Sequence, residues 1–264
     1  YMKKGIINFA HANGFPGEAY NRVLSHFENE YKIIKIHKLG HNPAFPVNDN
    51  WTNLANELIE FIKKNSDSPV IGIGHSLGSL VTFIAAYKNP ELFKAIIMLD
   101  PPFFIGIYGV IFHLLKITGI ADRFTPANQS SKRKRYWDNM DEVISYFTNK
   151  ALFAGFHPDT LRDYIKYGLR QIQNGYELDY DVDTEVKIFQ TMPHNIGKYK
   201  KPLNIPGAII YGENSHAVHM PTLKSFTKRH SFRLCTSPGG HLFPLEKPDE
   251  TAETIKRELK ALLN

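Results

Sequence analysis

Cys235 is the only cysteine among 264 residues, so no internal disulfide can staple the chain; a lone thiol fits a reducing compartment. Long apolar runs are missing too. The greasiest stretch, Phe103 to Ile120, contains His113 and Lys116, and its uninterrupted part is too short to cross a bilayer. It reads as a lid helix with an apolar underside, not as a stable membrane insertion. No low-complexity tract and no internal repeat appears, which argues against disordered and solenoid classes. Nor is the charge strongly of one sign. The net +6 includes one dense basic cluster, Lys132-Arg133-Lys134-Arg135, without the aromatic interleaving that would stack on bases. No nucleic-acid partner is expected; the cluster reads as a solvated face, or secondarily as an attractor for an anionic substrate. A strand-like run begins directly after Met2-Lys3-Lys4, leaving no legible signal peptide, and a cytoplasmic protein is predicted.

Cofactor and metal signatures are equally scarce. No phosphate-cradling glycine motif occurs, and nothing suggests a flavin or nicotinamide. His37 and His41 are four apart, but Gly40 and its loop spoil a helical metal pair. Glu213, His216 and His219 lack a second short-spaced ligand group. Neither a cofactor nor a metal is expected.

What the chain does have is a repeated alternation of short apolar runs and helical periodicity. Gly5 to Ala10, Tyr31 to Ile36, Val70 to Gly74 and Phe93 to Leu99 read as strands. Glu18 to Phe27, Trp51 to Ile62 and Leu77 to Asn89 have helical spacing. This order predicts a mostly parallel sheet with helices on both faces. The alternation lapses from 103 to 202, where Ile105 to Ile117, Asp138 to Phe153 and Asp159 to Asn174 have helical character. It resumes with strands Ala208 to Tyr211 and Phe232 to Cys235, and helices Pro221 to Arg229 and Asp249 to Leu263. We therefore expect a core of 1–102 and 203–264 bearing an inserted helical cap, 103–202.

One stretch organises the rest: Pro69-Val70-Ile71-Gly72-Ile73-Gly74-His75-Ser76-Leu77-Gly78. A strand runs through Gly-x-Ser-x-Gly into a helix, so the serine sits in a tight turn whose neighbours must be nearly side-chain-free. Such a turn exposes the hydroxyl and aims a helix N-terminus at the reacting oxygen. Nucleophilic serine chemistry also needs a base, an acid and oxyanion donors. His241, in a Gly-Gly-His turn after the last strand, is the candidate base. The N–H groups of Leu77 and of Phe15, or alternatively Asn13, are the candidate oxyanion donors.

Gly74-His75-Ser76-Leu77-Gly78, the His11-to-Gly17 loop and Gly240-His241 together resemble the nucleophile elbow, oxyanion loop and histidine loop of the α/β-hydrolase superfamily, in its cap-bearing branch. The resemblance implies an acid after the penultimate strand, commonly in Gly-x-x-Asp. Here Gly212-Glu213-Asn214-Ser215 puts a serine at that position. Two candidates remain: Asp100, after the strand that follows the nucleophile helix, and Glu213. The aromatic-rich insertion is expected to line an apolar pocket, with His75, Phe103, Phe104, Tyr136 and Trp137 as candidate substrate contacts. The implied activity is hydrolysis of an ester or thioester of a small, lipophilic substrate through an acyl-enzyme. The same residues allow C–C bond hydrolysis or acyl transfer, and the displaced acid leaves open a ligand-binding protein without turnover. The sequence says nothing of oligomeric state.

Overall fold

A computed structural model describes residues 3–264; Tyr1 and Met2 lie outside the described residues. The chain opens with β1 (Gly5–Ala10), a 3-10 turn, α1 (Asn21–Ser25) and β2 (Tyr31–Lys35). Then come α2 (Thr52–Asn65), β3 (Val70–His75), α3 (Leu77–Lys88) and β4 (Phe93–Leu99). The segment that follows contains α4 (Ile107–Ile117), α5 (Ala127–Ser130), β5 (Tyr136–Trp137), α6 (Met140–Thr148), α7 (Pro158–Gly168), β6 (Leu169–Ile172), β7 (Gly175–Leu178) and α8 (Val182–Gln190). The chain closes with β8 (Gly207–Gly212), α9 (Met220–His230), β9 (Arg233–Ser237), α10 (Phe243–Glu246) and α11 (Pro248–Leu263).

Six strands form one parallel sheet in the order β2-β1-β3-β4-β8-β9. Period-two side-chain alternation divides the apolar residues between two cores. Ile7, Phe9, Ile71, Ile73, Ile97 and Leu99 face α1 and α11, whose Val23, Leu24, Ile255 and Leu259 share their cluster. Val70, Ile96, Met98 and Ile209 face α2, α3 and α9. Both faces are covered, which is why these strands read as unbroken apolar runs. The chain winds outward from β1 to β2, then crosses back to β3 on the other side. The crevice between the C-terminal ends of β1 and β3 is therefore a topological switch point, where open parallel sheets place their sites.

Two sequence expectations need correction. The stretch from Glu18 to Phe27 is a 3-10 turn followed by a helix of only five residues. The insertion is not wholly helical: β5, β7 and β6 form an antiparallel sheet. Helical periodicity carried the reading through to Asn174, whereas α7 stops at Gly168 and the chain reverses through Gln173-Asn174 into Gly175, at φ +128°. The Asn-Gly turn signal outweighs the residual helical spacing.

Phe83 of α3 anchors the α9 side, fully buried among Tyr87, Tyr199, Phe226 and His230, with ring centroids between 4.8 and 6.0 Å. Phe83→Ala would leave a cavity that four rings cannot close. Its unfolding free energy in urea should drop by about 3–5 kcal/mol.

Candidate active site

Three strand ends and two loops converge on Ser76. At the end of β3 the backbone turns sharply, giving Ser76 φ 51° and ψ −112°. That conformation is costly for a residue with a Cβ and needs close packing to hold it. A Cβ on Gly74 would lie 2.2 Å from the Gly78 carbonyl oxygen, and one on Gly78 would lie 2.0 Å from that of Ala10. The two glycines thus allow β3, α3 and the end of β1 to meet. Ser76 N–H donates to the Leu99 carbonyl at 2.9 Å, tying the elbow to β4.

The next residue of β4's chain, Asp100, is fully buried and also has positive φ, 46°. Its Oδ2 accepts from His241 Nδ1 at 2.6 Å, and His241 Nε2 faces Ser76 Oγ at 3.0 Å. The remaining needs of the carboxylate are met by Gly212 N–H, 2.8 Å from Oδ1, and by the Ser215 hydroxyl, 2.5 Å from Oδ2. Ser215, at the position where the resemblance implied an acid, instead donates to one. Glu213 is exposed, and its N–H is held by the Ser237 carbonyl. Of the two candidate acids, Asp100 is the one beside His241.

The oxyanion candidates divide differently. Leu77 N–H opens α3 and has no acceptor among the described residues; the same holds for Asn13 N–H. Phe15 N–H is already donated to the Ala12 carbonyl at 3.2 Å, closing a turn. Of the two loop candidates, Asn13 keeps its N–H free among the described residues and Phe15 does not.

His75 does not line the cavity that Ser76 opens into. It is fully buried, and burial together with His241 lowers its pKa to about 3, so the ring is neutral. Its Nε2–H donates to the His241 carbonyl at 2.8 Å, and its Nδ1 accepts from Tyr20 OH at 2.7 Å. Tyr20 OH in turn accepts from Ala12 N–H at 3.2 Å. One chain of hydrogen bonds therefore joins the loop after β1, the elbow and the histidine loop. Sequence reading had no signal for Tyr20.

Ser76 and His241 open into a cavity of about 400 Å³, of a size for a small molecule. Its far walls come from the segment between β4 and β8: Pro126, Gln129, Arg133, Leu152, Phe153 and Phe189. The expected contacts lie elsewhere. Phe103 packs on Phe226 at 4.4 Å, Phe104 stacks on Phe112 at 4.2 Å, Trp137 is buried against Phe147, and Tyr136 is exposed. An aromatic count cannot tell a residue that builds the insertion from one that lines its underside. Arg133, from the basic cluster, is mostly buried: it pairs with Glu185 and donates to Tyr164 OH at 2.5 Å. Ser130 Oγ caps the other Glu185 oxygen at 2.7 Å. A wider groove of about 790 Å³, lined by His41, Glu57 and Phe61, lies away from Ser76 and contains no serine, threonine or cysteine.

The buried imidazoles set an acid limit. His11 accepts from Leu39 N–H at Nε2, and burial lowers its pKa to about 4 from 6.5. With His75 at about 3, the unfolded chain binds protons below pH 6.5 that the folded chain refuses. Stability is therefore intact above pH 6.5 and falls as the pH drops toward 4, by up to about 1.4 kcal/mol per pH unit for each ring. Urea unfolding across this range should show that slope, and His75→Gln should make it shallower.

Known proteins agree with this architecture. The sequence profile of the alpha/beta hydrolase fold matches residues 12–248. Over an alignment of 288 positions, gaps included, the chain is 23% identical to the uncharacterized hydrolase YugF of Bacillus subtilis (strain 168), covering 98% of this chain and 92% of that one. It is 27% identical over 125 residues to the type I acyl-CoA thioesterase mpaH of Penicillium brevicompactum, covering 46% of this chain and 27% of that one. The matches span only 27–39% of the length of four of its curated relatives. Among solved structures, E-2-(acetamidomethylene)succinate hydrolase superposes with a TM-score of 0.78 at 16% identity, covering 98% of this chain and 92% of that one. With the profile spanning most of its length, the chain belongs to the alpha/beta hydrolase fold family.

Proposed function

We propose that this protein is a serine hydrolase that cleaves an ester or thioester of a small, lipophilic substrate. The observation that carries the reading is the unbroken hydrogen-bond line from Ser76 Oγ through His241 to buried Asp100, at the wall of a cavity of about 400 Å³. Ser76 attacks the acyl carbonyl while His241 Nε2 takes the hydroxyl proton. Asp100 holds Nδ1–H, fixing the tautomer and stabilising the imidazolium. The negative charge that develops on the carbonyl oxygen is met by Leu77 N–H and Asn13 N–H, reinforced by the N-terminus of α3. His241 returns the proton to the leaving group, then activates the water that frees the acyl-enzyme. The segment from 103 to 202 acts as a cap, its Leu152, Phe153 and Phe189 offering apolar surface to an acyl chain. The esterase and thioesterase names among the relatives support this bond class.

Turnover of p-nitrophenyl esters and acyl-CoA thioesters of increasing chain length tests the reading. Wild type should hydrolyse at least one series. Ser76→Ala should lower kcat by a factor on the order of 10⁶. Wild-type turnover that persists in Ser76→Ala, or none on any substrate, would overturn it; in the latter case C–C cleavage, acyl transfer and ligand binding become the readings to pursue.

Ser215 gives a finer prediction. Its hydroxyl is one of three donors to Asp100, so Ser215→Ala leaves a buried carboxylate underbonded and less able to orient His241. Because hydrogen bonds to charged groups are worth roughly 1.5–3 kcal/mol, kcat should fall about tenfold or more with KM little changed. Steady-state kinetics on the substrate identified above would show the split.

A further inference from the structure

Helix α4 is apolar except for His113 and Lys116, a composition that ordinarily marks a buried helix. Here only one side is covered: Gly109 and Phe112 face the protein, and the Lys116 ammonium turns inward to Asp49. The outward stripe, Ile107, Val110, Ile111, Leu114 and Ile117, is 46–68% exposed. Spacings of three and four residues place these five aliphatics on one face. Tyr108 stands at one end, 48% exposed, and Phe124, 66% exposed, follows just beyond the other. Isolated exposed aliphatics are ordinary; a contiguous helical stripe of them needs a partner.

Charge indicates which partner. Within 103–135, Lys116, Arg123, Lys132, Arg133, Lys134 and Arg135 stand against Asp122 alone, so +5 of the chain's net +6 resides there. Some of these cations are consumed internally: Lys116, Arg133, Lys134 and Arg135 pair with Asp49, Glu185, Glu142 and Asp183. Arg123, in the turn directly after α4, has no carboxylate partner among the described residues, and neither does Lys132. The loop of Lys198 borders the same helix. His194 stacks on His113 of α4 at 4.2 Å, and four residues on, Lys198 is exposed, without a carboxylate partner among the described residues, its ammonium 5.1 Å from the Tyr199 ring.

We propose that α4 is a docking face for an anionic lipid surface. The aliphatic stripe enters the boundary between headgroups and acyl chains, and Arg123 and Lys198 meet the headgroup phosphates. Tyr108 and Phe124 sit at interfacial depth. The helix lies in the plane of the surface and does not span it; no helix among the described residues is long and apolar enough to cross a membrane. A second copy of the chain fits less well. A two-fold interface centred on α4 would bring like-charged flanks together, whereas an anionic surface neutralises them. Docking there also brings the surface near the Ser76 cavity, because α5 and the residue before it, close after α4 in the chain, contribute Pro126, Gln129 and Ser130 to its wall.

Vesicle sedimentation tests the proposal without reference to activity, so its outcome is separate from that of the hydrolase reading. Wild type should co-sediment with vesicles of phosphatidylcholine mixed with phosphatidylglycerol, and at least about tenfold less with phosphatidylcholine alone. Raising the salt should weaken the binding. The double variant Ile111→Glu/Leu114→Glu, whose side chains are already solvent-exposed, should keep the wild-type melting temperature and lose about tenfold or more of its partition. Wild type that stays in the supernatant with both vesicle types overturns the proposal. Binding that survives the double substitution does so as well. Light scattering that finds a wild-type dimer and a monomeric variant assigns the face to a second copy and likewise overturns it.

Discussion

A fully buried carboxylate must find donors, and the donors of Asp100 account for much of the architecture around Ser76. Taking an ionised group out of water is expensive unless hydrogen bonds replace its hydration. Asp100 obtains three from three different places: the end of β8 through Gly212, the loop beyond it through Ser215, and the loop after β9 through His241. Its own N–H is held by Ile210 of β8, at 2.8 Å. The sheet order β3-β4-β8-β9 is what sets these groups side by side, so neighbouring strand ends deliver Ser76, Asp100, the Gly212 and Ser215 donors and His241 in that spatial sequence.

The opposite side of Ser76 is held by a neutral relay. Ala12 N–H, Tyr20 OH, the His75 ring and the His241 carbonyl form one line of hydrogen bonds across three loops. A charged His75 would have to donate at Nδ1, reversing the Tyr20 bond, and would repel a charged His241 beside it. Burial keeps the ring neutral and so serves both geometry and electrostatics. The inserted segment is fastened to the same region: the Asn13 amide donates to the Glu185 carbonyl at 2.9 Å, and Trp51 Nε1 donates to that of Ile188 at 3.0 Å. The loop whose backbone faces the cavity is thus positioned from below by the core and from above by α8.

The sheet was legible in the sequence because strands covered on both faces become apolar runs, and because Gly74 and Gly78 flank the one serine that must turn sharply. His241 was legible from its place after the final strand. The acid was narrowed only to Asp100 or Glu213, since deciding between them requires knowing which strand end neighbours β9. The free N–H of the loop after β1 was equally out of reach: whether Asn13 or Phe15 keeps one depends on a turn closed by Ala12, a matter of backbone geometry. The pocket walls were misassigned for a different reason. Phe103, Phe104 and Trp137 are aromatic in order to pack the insertion against the core and against itself, and no periodicity separates that role from lining a cavity.

The wiring of Asp100 also has a consequence for how the chain is made. Ser76 and Asp100 emerge from the ribosome within one βαβ unit, yet the groups that satisfy the Asp100 carboxylate arrive only after more than a hundred further residues. Contacts of such long sequence separation close late, because the entropy of the intervening loop must be overcome first. Until β8 and β9 add to the sheet edge beside β4, the acid has neither its donors nor its histidine, and the favoured state of that edge is open and hydrated. A nascent or truncated chain that stops short of β9 holds Ser76 in its elbow but lacks His241 beside it. In this fold, assembly of the Ser76–His241–Asp100 line is coupled to completion of the sheet, and the last strand added completes it.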